Sequence, residues 1–433
     1  MSTSQKDFHS ASRWFFDHVG SLYRMLPTFV RISGSIYDQI KHDFDKLIED
    51  HAEDCEYDDQ GNLETYILDV DYMRRHRTLQ RAKADTAIFS NQLPRMAIVT
   101  LVSIYDAYLG RLLRAMFNVK PDLLNSSGRS LSYSEIIQFD SIEDATETVI
   151  EQEIDELLRK SHSEQIEWIG KRTGINLSTD FDLWPTFIEV AERRNLFVHA
   201  DGRVNQSYLN SCIKAGFDQN ELPPIGESLV VDPKYYKRAC LTFIEIGLRL
   251  CQVVWRKLCA DQLSDADDSL IEFTYDLLIL NQFDTVDRLA LFGTTKPVTN
   301  FSSESKLFLK INRAIALKEC KREEDLQQIL DEIDWSALSD LFRLAESVLR
   351  EDWDAAAEFV RQIGADGRPD KGDYKDWPLF NHFRKTDQFR KAYLDVFGEE
   401  FRLVHTGQEG LQDNDDAPSD TEEAQQKLQP DAG

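Results

Sequence analysis

Arg194-Asn195-Leu196-Phe197-Val198-His199 sets a permanent cation, an amide and a titratable imidazole within six positions of one predicted helix. Arginine grips a phosphoryl oxygen in two-pronged fashion, and histidine moves a proton near neutral pH. Metal-free cleavage of an RNA phosphodiester needs both abilities. Five helical steps of roughly 100° put Arg194 and His199 about 140° apart and roughly 7–8 Å along the axis. One straight helix therefore cannot bring both onto a single phosphate from the same side. They converge if the helix loosens before Gly202, or if a second subunit presents its own copy across a two-fold axis. The second route is preferred, because it gives a six-residue motif a two-sided cleft. Asn195 and His199, four apart, share a face.

Helical periodicity dominates the elements that must position these groups, and the expected fold class is all-α. Residues 1–80 read as an N-terminal helical extension, with apolar positions recurring through Trp14–Val30 and Ile36–Ile48. The acidic stretch Glu53–Asn62 breaks that pattern, and a polar, basic run, Tyr72–Arg81, follows. Residues 81–260 form the central domain. Pro94 is expected in the first turn of a helix whose apolar face is Ile98, Leu101, Val102, Tyr105, Leu109, Leu112 and Met116. Ser141 with Asp144 opens the next helix, and a third runs from His162 to Thr173 with Gly174 placed to end it. Pro185 starts the motif helix. Asp232-Pro233 reads as cap and first turn of a long helix to about Cys259, with Leu241, Ile244, Leu250, Val254 and Leu258 on its buried side.

Residues 261–405 change to shorter helices at Leu270–Leu280, Lys306–Leu317 and Leu326–Ile333, separated by polar or Gly/Pro-containing links. Trp335–Leu349 and Trp353–Ile363 form a helical hairpin whose Ala345, Ala355, Ala356 and Ala357 permit close approach, with Trp335 and Trp353 anchoring its packing. The pair resembles a tetratricopeptide-type unit and suggests a surface for a protein partner, although no fixed repeat period recurs. A last helical piece lies near Pro378–Phe397. Residues 406–433 carry eight acids against one base and are expected to be a disordered acidic tail.

The formal charge of −27 opposes adventitious binding to nucleic acid or to anionic membrane. Residues 81–260 nevertheless hold 21 Lys and Arg against 24 Asp and Glu, so a local basic patch beside the motif is permitted. The six cysteines make no C-x-x-C pair and no zinc spacing, and four fall in or near apolar helical patterns, where a reduced cysteine fills core. Neither metal nor cofactor is expected. There is no secretory layout at the N-terminus, and the apolar run Met96–Phe117 is interrupted by Asp106, Arg111 and Arg114. A soluble, cytoplasmic protein without membrane contact is the expectation.

The Arg-Asn-x-x-x-His core, with Glu189 upstream and Gly202-Arg203-Val204-Asn205 and Tyr208-Leu209 downstream, resembles the HEPN domain (higher eukaryotes and prokaryotes nucleotide-binding). Leu101–Leu109 and Ser163–Ile169 fit the same pattern, so the resemblance covers about residues 81–260. It implies a helical, commonly dimeric domain acting as a metal-independent endoribonuclease in toxin, anti-phage defence or RNA-processing roles. Bare Arg-x4-His spacing carries little, since Arg13-Trp14-Phe15-Phe16-Asp17-His18 matches it inside an unrelated aromatic stretch and reads as chance. Arg193 also allows an Arg-x5-His spacing, and Arg194 is favoured because Asn195 directly follows it.

The chemistry expected is attack of an RNA 2′-OH on the adjacent phosphorus, leaving a 2′,3′-cyclic phosphate. His199 serves as base or acid, Arg194 neutralises charge on the crowded phosphorus, and Asn195 orients the imidazole or binds a phosphate oxygen. Glu189 orients Arg194 or Arg193. DNA, lacking the 2′-OH, is not cut. In the bland reading, Arg194 pairs with Glu189 or Glu192 and His199 caps carbonyls at the helix end. Tyr105, Asp106 and Tyr108 are then core and helix-surface residues, and Arg74-Arg75-His76-Arg77 a solvated face. A different class of function, a catalytically silent HEPN-like adaptor binding a nucleotide or protein, is the alternative.

Overall fold

Val30, Ser33, Tyr37, Ile40, Phe44 and Leu47 recur at alternating steps of three and four, as do Tyr72, His76, Leu79, Lys83, Thr86 and Ser90. Such spacing is the seam of a coiled coil. In the computed structural model, which describes residues 3–58, 60, 63–127, 131–174, 182–295 and 300–402, the two seams meet. Helix α1 (Thr3–His51) and helix α2 (Val70–Val119) run antiparallel, joined by the hairpin β1 (Ala52–Tyr57) and β2 (Leu63–Leu68), in which Ala52 lies opposite Leu68. Ser33 and Ser90 hydroxyls sit 2.6 Å apart across the seam. Phe44 packs on His76 at 5.2 Å, and His51 stacks on Tyr72 at 3.8 Å.

This arrangement differs from the expected one in three ways. Helix α2 runs unbroken through residues 80 and 81, where the sequence suggested a boundary, and Pro94 lies inside it rather than in its first turn. A proline removes one internal hydrogen bond, a loss the partner helix offsets by packing. Glu53–Tyr57, in a stretch expected only to break the helix, lies in the first strand.

The N-terminal half of α1 is core. Phe8 stacks on Trp255 at 5.7 Å and Phe15 on Tyr108 at 4.4 Å. Gly247 makes this possible: a Cβ there would come within 2.4 Å of the Phe15 ring. The Tyr108 hydroxyl donates to the Gly247 carbonyl at 2.7 Å.

Further helices follow along the chain: α3 (Tyr133–Ile136), α4 (Ile142–Leu158), α5 (His162–Thr173), α6 (Trp184–His199), α7 (Gln206–Lys214) and α8 (Pro233–Leu258). Their ends are set by local chemistry. Ser141 caps α4 by accepting from Asp144 N–H, Ser161 and Glu164 form a capping box on α5, and Gly174 closes α5 in the left-handed conformation. Asp232 caps α8 through Tyr235 N–H at 2.8 Å. From Thr242 to Arg256 α8 is buried on every side, not along one stripe, with Leu241 and Leu258 only half-buried. An all-round apolar environment marks a central helix. The charges inside it are paired: Glu245 with Arg249 and Arg288, and Arg256 with Asp267.

Helices α9 (Leu263–Ile279), α10 (Phe283–Thr295), α11 (Ser303–Glu319) and α12 (Glu323–Asp331) continue the chain, α10 filling a stretch expected to be a link. One compact unit ends at Ile329 and a second begins at Leu330. The second contains the expected hairpin, α13 (Asp340–Leu349) and α14 (Trp353–Ile363), then α15 (Asp373–Asp376) and α16 (Asp387–Phe397). Trp335 is buried and donates to the Leu330 carbonyl, while Trp353 stacks on Phe383 at 5.6 Å. Residues 406–433 lie outside the described residues. The protein is all-α, with one small hairpin among the described residues. Helix α2 contains an 18-residue stretch of mean hydropathy 1.4, enough by length and composition to cross a membrane, of which half is buried inside the protein.

Candidate functional site

Pro185 sits in the first turn of α6, and the helix keeps regular geometry to His199. The N–H groups of Ala200 and Gly202 both donate to the Leu196 carbonyl, and Gly202 turns the chain at φ +74° against the Phe197 ring. Beyond the turn, Val204, Tyr208, Cys212 and Leu229 close a small core over Leu196. Asn205 caps α7 through Tyr208 N–H at 3.0 Å. The segment after the histidine is thus a structural continuation that fixes where α6 ends.

Consecutive arginines point to different environments. Arg193 turns inward to Glu189, a carboxylate only 2% exposed. Glu189 Oε1 accepts from Arg193 Nε and from the Tyr208 hydroxyl, each at 2.7 Å, and Oε2 accepts from the Tyr235 hydroxyl at 2.8 Å. Arg193 also donates to the Val230 carbonyl and lies 3.9 Å over the Tyr235 ring. Burial pushes the Tyr208 and Tyr235 phenols far up, and the Glu189 charge adds to it, so both remain donors. Burial works to lower the Arg193 pKa, but Tyr235 and Glu189 together hold it above its ordinary value. Glu189 and Arg193 therefore act as internal struts, which removes the Arg193-x5-His199 alternative.

Arg194 points the other way. Its Nη2 donates to Asp106 Oδ2 at 3.1 Å, and His162 Nε2 stands 3.1 Å from Asp106 Oδ1. His162 is wedged against Tyr105 and Phe187, with ring centroids 5.8 and 5.6 Å away. The Arg194 Nε is buried without a partner. Asn195 donates to Glu192 Oε2 at 3.4 Å and not to His199. His199 is exposed and makes no hydrogen bond or ion pair among the described residues. Because α6 stays helical to His199, the loosened-helix route is not taken, and Arg194 and His199 stay on different sides of it.

Sequence reasoning had Tyr105 and Tyr108 as core, and both are fully buried. Asp106 is the residue it missed as a site member, together with His162. The signal for Asp106 was a lone acid in the apolar run Leu101–Leu109. His162 offered only its place just after Ser161 at the head of α5. The second Arg-x4-His match is structural: Arg13 donates to Asp276 at 2.6 Å and His18 bonds the Trp14 carbonyl at 2.7 Å. Among the described residues no three His, Cys, Asp or Glu side chains converge as a metal site. The chain matches no protein-family model, no curated protein and no solved structure, so what this site does is read from its residues and their geometry alone.

Proposed function

We propose that this protein is a metal-independent endoribonuclease of the HEPN type, cutting RNA through attack of a 2′-OH on the adjacent phosphorus. The observation that carries this reading is that Arg194, steered by Asp106, and His199, exposed with no partner among the described residues, project from one α6. His199 takes the proton from the 2′-OH or gives one to the leaving oxygen, and Arg194 neutralises the charge that builds on phosphorus. A straight α6 separates the two groups, so the complete site pairs Arg194 of one copy with His199 of another in a homodimer. An exposed apolar stripe on the α1–α2 arm, Met25, Phe29, Ile32 and Ile36 at steps of four, three and four, supports self-association. Toxin or anti-phage action in the cytoplasm is the setting the resemblance implies, with the α13–α14 hairpin available to a protein partner.

Incubation of the purified protein with RNA in EDTA tests the proposal. Cleavage to 2′,3′-cyclic phosphate ends, lost in Arg194→Ala and in His199→Ala and absent on matched DNA, supports it. A catalytically silent adaptor is the second reading, favoured by one observation: the Arg194 charge is already met by Asp106. Intact RNA across single-stranded and structured substrates supports the adaptor.

A further inference from the structure

Arg74, Arg81, Ile88 and Arg95 lie seven residues apart on α2. In a coiled coil that interval returns to the same side of the helix, and here the side is fixed by contacts across the seam. Lys83, which sits over the Phe44 ring, and Ser90, which meets Ser33, both face α1. Arg81 is two residues from Lys83 and Ile88 two from Ser90, which at roughly 100° each turns them about 160° away from α1. Arg77 falls on the flank of the same line. The side chains of Arg74, Arg77 and Arg81 are exposed and make no hydrogen bond or ion pair among the described residues. Asp85, four residues beyond Arg81, forms no ion pair with it there. The outward side of α2 thus carries arginines unpaired among the described residues, in a chain whose formal charge is −27.

The line has a destination. From Arg74 to Arg95 it runs about 31 Å, and Arg95 reaches Asp201 at 3.1 Å and covers the Phe197 ring at 5.3 Å. Phe197 and Asp201 bracket His199 on either side. The unpaired guanidinium groups of Arg74, Arg77 and Arg81, followed by the exposed side chain of Ile88, suit a phosphate backbone with bases beside it. We propose that the α2 edge of the arm is the docking track for single-stranded RNA and delivers its backbone to the His199 end of α6. This deepens the ribonuclease reading and rests on it for the meaning of that destination.

The test uses the full chain with His199→Ala to prevent cutting, and a fluorescein-labelled uridine decamer followed by anisotropy over a salt series. Replacing Arg74→Gln and Arg81→Gln together is expected to weaken binding at least tenfold and to reduce the slope of log affinity against log salt by about 1.4. Both positions are exposed, and an unchanged melting curve confirms folding. With His199 intact, cleavage of a uridine dinucleotide, too short to reach the arm, is expected to be unchanged by the double substitution. Decamer binding within twofold of the unsubstituted protein overturns the track, and so does no binding at all. Weaker binding accompanied by a changed mass in solution also overturns it, because the edge is then a protein interface. Dinucleotide cleavage that persists alongside either result leaves the ribonuclease reading standing. Binding that depends on both arginines while no RNA is cut supports the track and removes that reading.

Discussion

Arg194 and His162 share one carboxylate: Asp106 takes the guanidinium on Oδ2 and faces the imidazole with Oδ1, each at 3.1 Å. The three side chains come from α6, α5 and α2, so the direction of Arg194 is set by two other helices. Asp106→Asn keeps the shape but weakens the hold on the guanidinium, because a charge-assisted bond becomes a neutral one. Under the proposed function kcat on an oligoribonucleotide falls by roughly 10- to 100-fold, as expected for a misplaced cation, while KM changes little. Single-turnover kinetics with the melting curve as control make the measurement. An unaltered kcat would end the positioning role of Asp106.

A site divided between two copies has a sharper signature. Arg194→Ala and His199→Ala proteins, each inactive alone, are mixed and allowed to exchange subunits. Random pairing makes half of the dimers mixed, and each of those rebuilds one intact site of two, so roughly a quarter of the original activity returns. No recovery, with exchange verified by a mass-tagged subunit, rejects the two-copy cleft.

Much of this fold could be read in advance because its punctuation is local. Ser141, Gly174, Pro185 and Asp232 act on backbone groups within a few residues, and each is where its type predicts. Pro94 misled because a long antiparallel partner tolerates a proline that an isolated helix does not. The all-round burial of α8 escaped notice because its polar residues are satisfied by distant ones, such as Arg256 by Asp267. At the site, the residue types were legible and the pairings were not. Glu189 was expected near an arginine, yet which of Arg193 and Arg194 it holds depends on Tyr208 and Tyr235, 19 and 46 positions away. Asp106, 88 positions from Arg194, could be found only through tertiary contact.

The Glu189 hub makes a prediction about stability rather than chemistry. Glu189→Gln retains size but leaves Arg193, its side chain 12% exposed, without a counter-charge. Breaking a buried pair by removing one partner costs about 3–5 kcal/mol. Urea unfolding should show a loss of that order, while Arg194→Ala, on the half-buried side, should cost far less. Equal losses from the two would contradict the division of roles between neighbouring arginines.

Alkaline solution should reveal the same hub. Burial, then Glu189 and Glu192, pushes the Cys212 thiol up to about 12, and burial with Glu189 raises Tyr208 and Tyr235 above their ordinary values. Groups whose folded pKa is raised favour the native state fully while they are neutral in both states. Their contribution drains once the unfolded chain ionises first. For Cys212 that window opens near its ordinary value of 9.0 and closes near 12. The melting temperature should therefore hold to about pH 8–9 and fall steadily above it. Cys212→Ala removes one of the titrating groups, so its melting temperature should decline less steeply over the same range. A flat profile to pH 11 in the unsubstituted protein would mean that these groups reach solvent in the native state and that the core around Glu189 is open.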